Sequence, residues 1–281
     1  MTLQERLSAA RERLVSAGIQ PAEAALDVDL YARTVLDWDR ARLITSLPDA
    51  VPARLEPRFS DWIARREHGE PSAYIVGIRE FWGLEFRVTP DVLIPRPETE
   101  FVVEEALEVV RKDAACRIAD IGTGSGNIAV ALAHERPGCT MVATDVSAGA
   151  LAVAEDNARR HGVAGRIRFV QTSYLDGVEG DFDLVTANPP YVREGDKPAL
   201  ARDVRYEPDV ALFGGATGLR DIEGVLDTAV ARLRPDGWFI MEFGFGQEDE
   251  VRALIGPRPL RIDHLRADLR GLPRTAIMQR A

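Results

Sequence analysis

The stretch RIADIGTGSGNIAVALA, Arg117–Ala133, determines the fold class of this chain. An apolar strand pattern ends at Asp120, a glycine-rich turn covers Gly122–Gly126, and an apolar helical pattern begins at Asn127. Glycines in such a turn let the backbone reverse tightly and approach a ligand without a Cβ in the way. A strand, a glycine-rich turn and a helix in this order predict the first unit of a doubly wound sheet, with the turn at the ligand-binding crevice.

The spacing of these glycines separates the turn from the dinucleotide-binding fingerprint. The turn reads G-x-G-x-G, whereas that fingerprint reads G-x-G-x-x-G and holds a pyrophosphate. Without a pyrophosphate an acid at the strand end is tolerated, and Asp120 is suited to attract an ammonium group there. Asp145 ends the next predicted strand, where an acid accepts hydrogen bonds from both ribose hydroxyls. Together these features predict a nucleoside-containing cofactor whose other end is cationic or zwitterionic.

Strand and helix patterns alternate through most of the chain that follows. Strands are predicted at 117–121, 140–145, 166–171, 183–187 and 238–243, and helices at 127–135, 148–161 and 219–233. Apolar runs of this length between helices predict a parallel sheet that is covered on both faces. The stretches RIDHL and TAIMQ near the C-terminus predict an antiparallel pair that completes a seven-stranded sheet.

The part of the chain before this sheet has a different pattern. Helical spacing is clear in Leu3, Leu7, Ala10 and Leu14. Residues 1–72 are therefore predicted to form a small helical bundle. Aromatic and β-branched residues around Gly83 predict a β-hairpin linker at 73–95, and 96–281 is left as the α/β domain.

The stretch TANPPYV, Thr186–Val192, follows the fourth predicted strand of the sheet. Because proline lacks an N–H and has a fixed φ, Pro189 and Pro190 can continue neither a helix nor a sheet ladder. The loop is predicted to be rigid, with the carbonyls of Asn188 and Pro189 free as acceptors. An asparagine oxygen and a backbone carbonyl together accept both hydrogens of an –NH2 group, and Tyr191 can cover the flat group that carries it. The loop therefore predicts a site for a planar amide or an aromatic amine.

Composition narrows the classes of function further. The net charge of −10 argues against a direct nucleic-acid partner, because phosphate neutralisation requires a basic surface. Two cysteines and four scattered histidines show no metal-ligand spacing, so neither a metal site nor a disulfide framework is predicted. No apolar run is long enough to span a bilayer, and the charged N-terminus is unlike a secretory or transit signal. A cytoplasmic protein is expected.

The order D-x-G-x-G-x-G, strand-end Asp and N-P-P-Y resembles the class I methyltransferases, which use S-adenosylmethionine to methylate exocyclic or amide nitrogens. Four further stretches are similar to the HemK/PrmC family: REFWGLEF (79–86), LIPRPETE (93–100), DVRYEP (203–208) and DLRGLPR (268–274). That family methylates N5 of the glutamine in the Gly-Gly-Gln motif of class I peptide chain release factors. The resemblance covers essentially the whole chain. It implies a Rossmann-like class I methyltransferase fold with a small N-terminal helical domain that recognises the release factor.

The resemblance also implies roles for individual residues. The implied cofactor-binding set is Asp120, Gly122, Thr123, Gly124, Ser125, Gly126, Asp145, Tyr174 and Asn188. The implied substrate-binding set is Asn188, Pro189, Pro190 and Tyr191, of which Asn188, Pro189 and Tyr191 are also expected to be catalytic. Tyr174 falls where relatives place an aromatic near the adenine. Ser173 stands where relatives carry an acid, so the adenine contact at that position is left open.

Several alternatives are left open at this point. An N6-adenine methyltransferase also suits N-P-P-Y, but it has to extrude its base and needs a basic groove. A closer alternative is an enzyme that methylates a glutamine of a ribosomal protein. The N-P-P-Y motif does not distinguish such an enzyme from one that methylates a release factor. The glycine spacing and N-P-P-Y disfavour a nicotinamide-dependent oxidoreductase, and the three intact motifs disfavour a non-catalytic binding module. The sequence leaves the oligomeric state undetermined, with a monomer favoured.

Overall fold

The computed structural model describes residues 1–281, and the chain divides into two compact units. Unit 1 contains Met1–Gly77 together with Ala201–Tyr206, and unit 2 contains Ile78–Leu200 and Glu207–Ala281. Residues 73–76, which the sequence assigned to the hairpin linker, are helical instead. This helix ends at Gly77, whose φ of +84° reverses the backbone.

Unit 1 is helical. Its helices are α1 (Leu3–Ser16), α2 (Pro21–Leu36), α3 (Arg40–Thr45), α4 (Arg58–Glu67) and α5 (Ser72–Val76). The apolar faces of these helices share one core, in which the rings of Tyr31 and Trp62 meet edge to face at a centroid distance of 5.5 Å. One ion pair is buried with them, since Arg66 Nε lies 2.7 Å from Asp27 Oδ2. Within the same unit, Tyr206 donates its hydroxyl to the carbonyl of His68.

Unit 2 contains a hairpin and a seven-stranded sheet. The hairpin strands are β1 (Ile78–Phe81) and β2 (Leu84–Arg87). The sheet strands are β3 (Arg117–Ile121), β4 (Thr140–Asp145), β5 (Ile167–Gln171), β6 (Phe182–Ala187), β7 (Leu233–Glu242), β8 (Leu260–Ala267) and β9 (Pro273–Arg280). They lie in the order β5-β4-β3-β6-β7-β9-β8, and β9 alone runs in the direction opposite to the other six. The predicted seven-stranded, mostly parallel sheet is confirmed.

Helices cover both faces of this sheet. They are α6 (Glu100–Val109), α7 (Asn127–Glu135), α8 (Ala148–Arg160), α9 (Asp209–Leu212), α10 (Arg220–Arg232) and α11 (Glu248–Ile255). Successive strand residues point to opposite faces. Accordingly Ile118 and Leu184 belong to the core with α6 and α7, whereas Ala119 and Val185 belong to the core with α10 and α11.

The strand register brings the functional loops together. Ile121 pairs with Thr144 of β4 and with Ala187 of β6, and Ala187 pairs with Met241 of β7. The loops after four strands therefore leave the sheet at one edge. The strand order also reverses at β3, and such a switch point is where open α/β sheets bind ligands.

Asn157 connects the hairpin to the glycine turn. This α8 side chain is fully buried, and its Oδ1 accepts from the Arg87 N–H at 2.7 Å. Its Nδ2 donates to the carbonyls of Arg87 and Ser125 at 3.0 and 2.8 Å. All three bonds are buried or partly buried, so together they hold the turn in one position.

Two structural observations concern membrane insertion and metal binding. None of the helices combines the length and the apolar character that crossing a bilayer requires. No three side chains of His, Cys, Asp or Glu are grouped so that they could hold a metal ion, and Cys116 and Cys139 are free thiols.

Candidate active site

An open cavity lies in unit 2 where the sheet loops converge. Its volume is about 1160 Å³ including the solvent-filled mouth. Most of the predicted site residues line it, namely Gly122, Thr123, Gly124, Ser125, Asp145, Tyr174, Asn188, Pro189 and Pro190. Asp120, Gly126 and Tyr191 are not among the lining residues.

The glycine turn between β3 and α7 needs glycine for two different reasons. Gly124 has a φ of +53°, and an added Cβ would meet no atom within 4 Å, so the backbone conformation is what requires glycine there. Gly126 also has a positive φ, and an added Cβ would lie 3.0 Å from the Cβ of Ala154 on α8. The turn is therefore open on its cavity side and closely packed behind.

Asp120 lies behind the lining of the cavity. Its carboxylate is 1% exposed and accepts from Thr123 Oγ1 at 2.6 Å and from Thr186 Oγ1 at 2.9 Å. Burial raises the pKa of Asp120 to about 6, against the opposing effect of the two threonine bonds. Asp120 thus connects the turn to β6 and places a titrating charge near the cavity. Its direct contact with an ammonium group stays a prediction.

Asp145, at the end of β4, does line the cavity. Its Oδ2 accepts from the Gly124 N–H and its Oδ1 from the Ser147 N–H, both at 2.9 Å. Burial raises the pKa of Asp145. A carboxylate oxygen has capacity for a second donor, so both oxygens remain able to accept hydroxyl groups. This is the arrangement that a vicinal diol requires.

Tyr174 forms part of an apolar wall of the cavity with Val146 and Val225. Its hydroxyl donates to Asp221 Oδ1 at 3.1 Å. An added Cβ at Gly224 of α10 would collide with the phenol ring, so this glycine makes room for it. The family resemblance indicated Tyr174 but not Val146, whose only signal in the sequence is that it is an apolar residue directly after a strand-end acid. The wall suits the flat face of an adenine.

The N-P-P-Y loop presents unused acceptors to the cavity. The carbonyls of Asn188 and Pro189 accept no hydrogen bond within the chain. The far end of the loop is anchored, because Gln247 Nε2 donates to the carbonyl of Tyr191 at 3.1 Å. An added Cβ at Gly214 would collide with the carbonyl oxygen of Pro190. The loop is therefore clamped from behind while its acceptors remain available.

The Tyr191 side chain points away from the cavity lining. Its hydroxyl donates to Glu242 Oε1 at 3.0 Å, and the Arg274 guanidinium lies 5.7 Å from the ring centroid. Burial raises the pKa of Tyr191. Its expected role as a cover for the substrate amide stays a prediction.

Sequence reasoning did not assign functions to several lining residues, among them Arg96 and Thr99. Both belong to the LIPRPETE stretch, whose position is set by the buried Glu207: this carboxylate accepts from the Ile94 N–H at 3.1 Å and from Arg96 Nη2 at 2.5 Å. Glu242, which contacts Thr99, was also missed. It had a signal, because it is one more acid at the end of an apolar strand.

Two solved structures of methyltransferases share this fold. A methyltransferase from Pyrococcus furiosus aligns with 79% of this chain and 99% of its own, at 18% identity and a TM-score of 0.55. The hMettl16 catalytic domain, solved in complex with an RNA hairpin, covers 78% of this chain and 81% of its own, at 19% identity and a TM-score of 0.56. The fold and the cavity at the carboxyl edge define a class I S-adenosylmethionine-dependent methyltransferase.

Sequence comparisons identify the family within this class. Residues 5–77 match the PrmC N-terminal domain and residues 102–205 the Methyltransferase small domain. The release factor glutamine methyltransferase of Bradyrhizobium diazoefficiens is 42% identical over 93% of this chain and 89% of its own. That of Nitratidesulfovibrio vulgaris is 42% identical over 99% of this chain and 95% of its own. This chain belongs to the release factor glutamine methyltransferase family.

The cavity fits S-adenosylmethionine in its donor and acceptor set. Asp145 keeps acceptor capacity for the ribose hydroxyls, the wall containing Tyr174 suits the adenine, and the turn at Gly124 leaves space for the methionine end. Asp120 and Asp145 supply negative charge to a ligand with a sulfonium and an ammonium group. No lining residue is a lysine or histidine.

We expect the affinity for S-adenosylmethionine to fall as the pH decreases from 7.5 to 5.5. A cationic ligand favours ionised Asp120, whose pKa is about 6, so below that pH binding must release a proton. Asp120 alone would then weaken binding by about fourfold over this range. Titration calorimetry at each pH measures the change. Asp120→Asn, which keeps the shape of the side chain but cannot ionise, is the control and should show a shallower dependence; equal slopes for the two proteins would contradict the electrostatic argument.

Proposed function

We propose that this protein transfers a methyl group from S-adenosylmethionine to the side-chain amide N5 of the glutamine in the Gly-Gly-Gln motif of class I peptide chain release factors. The observation that carries the proposal is the loop after β6, which lines the cavity beside the glycine turn and whose Asn188 Oδ1 and Pro189 carbonyl accept no hydrogen bond within the chain. An acceptor pair suits an –NH2 group. The release factor and its glutamine are proposed as the substrate because the relatives are named release factor glutamine methyltransferases.

When bound, S-adenosylmethionine supplies an electrophilic methyl group on a positively charged sulfur. The glutamine amide nitrogen is a poor nucleophile, because its lone pair is delocalised into the carbonyl. Asn188 Oδ1 and the Pro189 carbonyl accept its two N–H groups and hold the nitrogen in one orientation. The same acceptors stabilise positive charge as it develops on the nitrogen, and their preorganised dipoles need no rearrangement at that moment.

The chain supplies no general base in this scheme. The amide proton becomes acidic only after the methyl group has arrived, so water can remove it afterwards. The absence of histidine and lysine from the lining residues is consistent with this order. The contribution of the chain is therefore positioning and polarisation.

Cofactor binding is assigned to a separate group of residues. The turn containing Gly122, Thr123, Gly124 and Ser125 holds the methionine end, Asp145 accepts from the ribose hydroxyls, and Tyr174 contacts the adenine. The supports for this assignment are the cavity lining and the free acceptor capacity of Asp145. Asn188 lies at the boundary between the cofactor and substrate groups.

The proposed function is tested by methyl transfer from labelled S-adenosylmethionine to a purified class I release factor. Parallel reactions contain the factor with its motif glutamine replaced, ribosomal proteins, and duplex DNA. We expect label on the intact factor alone. Label on a ribosomal protein would instead identify a glutamine of that protein as the substrate. Label on DNA would favour an N6-adenine methyltransferase.

Substitution Asn188→Ala should lower kcat by about a hundredfold or more, because one of the two polarising acceptors is lost. The dissociation constant for S-adenosylmethionine should change by much less. Single-turnover kinetics and equilibrium titration measure the two quantities. Near-normal turnover would contradict the polarisation argument.

Asp145→Ala is the matched comparison for that substitution. It should weaken cofactor binding by about tenfold, the effect of losing hydrogen bonds to a charged acceptor, and leave kcat at saturating cofactor nearly unchanged. The opposite patterns of the two variants separate the substrate group from the cofactor group.

The N-terminal unit, residues 1–77, is proposed to recognise the body of the release factor. The support is the match of residues 5–77 to a domain model of its own, which includes no lining residue of the cavity. The same substrate implies a cytoplasmic enzyme, and we propose that it acts as a monomer.

Hydrogen exchange distinguishes recognition of the factor from recognition of the motif. Binding of the intact factor should slow exchange in α1–α5, whereas a short peptide with the Gly-Gly-Gln motif should slow exchange only near residues 188–191. The two patterns should differ because the body of the factor is expected to contact the N-terminal unit, whereas the peptide reaches only the cavity. Protection confined to unit 2 with the intact factor would overturn the role of the N-terminal unit.

A further inference from the structure

A continuous chain of hydrogen bonds connects Arg274 to Asn188. Arg274 Nη2 lies 3.3 Å from Tyr191 Oη, which lies 3.0 Å from Glu242 Oε1. Glu242 Oε2 lies 2.7 Å from Thr99 Oγ1, and Thr99 Oγ1 lies 3.1 Å from Asn188 Nδ2. Glu242 has no exposed surface and Thr99 is 2% exposed. Water therefore has no access to Glu242.

The direction of the first bonds follows from the donors available. A guanidinium only donates, so Tyr191 Oη accepts from Arg274 and gives its own proton to Glu242 Oε1. Burial raises the pKa of Glu242, while the bond from Thr99, the charge of Arg274 and the bond from Tyr191 lower it. Two hydroxyl donors and a nearby cation are the partners that a buried carboxylate needs. In its ionised form Glu242 accepts at both of its oxygens, from Thr99 and from Tyr191.

The direction of the remaining bonds sets the orientation of Asn188. Thr99 has one hydroxyl proton, and it goes to Glu242 Oε2. The oxygen of Thr99 can then only accept, so the group facing it must be the –NH2 end of the Asn188 amide. The Oδ1 end is left for the cavity. The two ends of an amide are nearly equal in shape, so packing alone would not choose between them.

We propose that Glu242 is a positioning residue that acts through Thr99 to present Asn188 Oδ1, rather than Nδ2, to the substrate nitrogen. This inference rests on the proposed function, because it assigns Asn188 to the substrate amide. With the amide reversed, the –NH2 group of Asn188 would face that of the substrate, and only the hydrogen bond to the Pro189 carbonyl would remain. A reversed Asn188 would instead donate to a carboxylate oxygen of a glutamate. Glu242 thus helps to distinguish glutamine from glutamate.

Two substitutions at Thr99 form a matched pair. Thr99→Val removes the hydroxyl at nearly the same volume, whereas Thr99→Ser keeps the hydroxyl. We expect Thr99→Val to lower kcat by about ten- to a hundredfold through misplacement of Asn188, and Thr99→Ser to stay within about threefold of the unmodified protein. Glu242→Gln should resemble Thr99→Val, because the new side-chain amide can donate to Thr99. The Thr99 hydroxyl can then donate to Asn188, which reverses the direction of the hydrogen bonds. Thermal unfolding confirms that each variant is folded.

A competition measurement separates reversal of the amide from simple loosening of the site. Release factors with the motif glutamine replaced by glutamate or by alanine serve as inhibitors. In Thr99→Val and Glu242→Gln, inhibition by the glutamate factor should strengthen about tenfold relative to the alanine factor, the scale of one hydrogen bond to a charged group. Thr99→Ser should leave this ratio unchanged. An unchanged ratio in all three variants would overturn the proposal.

Nuclear magnetic resonance tests the orientation without relying on methyl transfer. The side-chain amide signals of Asn188, assigned by their loss in Asn188→Ala, should include one slowly exchanging proton in the unmodified protein and in Thr99→Ser. Exchange should be faster in Thr99→Val and in Glu242→Gln. If the unmodified protein labels no release factor but shows this pattern, the proposed substrate fails and the orientation stands. If it labels the factor while Thr99→Val and Thr99→Ser agree in kcat and exchange, the positioning role fails.

Discussion

The carboxyl ends of four parallel strands share one edge of the sheet, and the polar groups in and directly behind the cavity that the proposed function uses depend on that alignment. β3, β4, β6 and β7 deliver Asp120, Asp145, Asn188 and Glu242 to this edge. Three of these residues are acids that lie at or near strand ends, where burial raises the pKa of each. The sheet holds them there because its two faces are sealed by separate apolar cores.

The cavity combines an open ligand side with a closely packed support. The glycine turn and the N-P-P-Y loop present their backbone to the ligand, while Ala154, Gly214 and Gln247 restrain them from behind. Catalysis by positioning needs this combination, since the acceptors must be free and yet unable to move. The hydrogen bond from Asn188 to Thr99 adds a second restraint, because it determines which end of the Asn188 amide faces the cavity.

Much of the fold followed from local sequence patterns. Apolar runs of five or six residues between helical segments predicted the strands, and the structure has the seven-stranded sheet that they implied. The hairpin linker was assigned too early, because the residues of Ser72–Val76 form a short helix whose N-cap and C-cap residues are Pro71 and Gly77. β-Propensity reports half-buried packing rather than an intrinsic backbone preference, so it misleads where a helix is equally buried.

The sequence by itself determined the sheet, the glycine turn, the strand-end acids Asp120 and Asp145, and the acceptor loop, because each follows from neighbouring residues of fixed spacing. Only the tertiary structure decided that Asp120 lies behind the cavity lining and that Tyr191 faces Glu242 and Arg274. It also brought Thr99 next to Asn188, 89 positions away in the chain. The physical reason is that burial and hydrogen-bond direction depend on partners from distant segments, which no local pattern specifies.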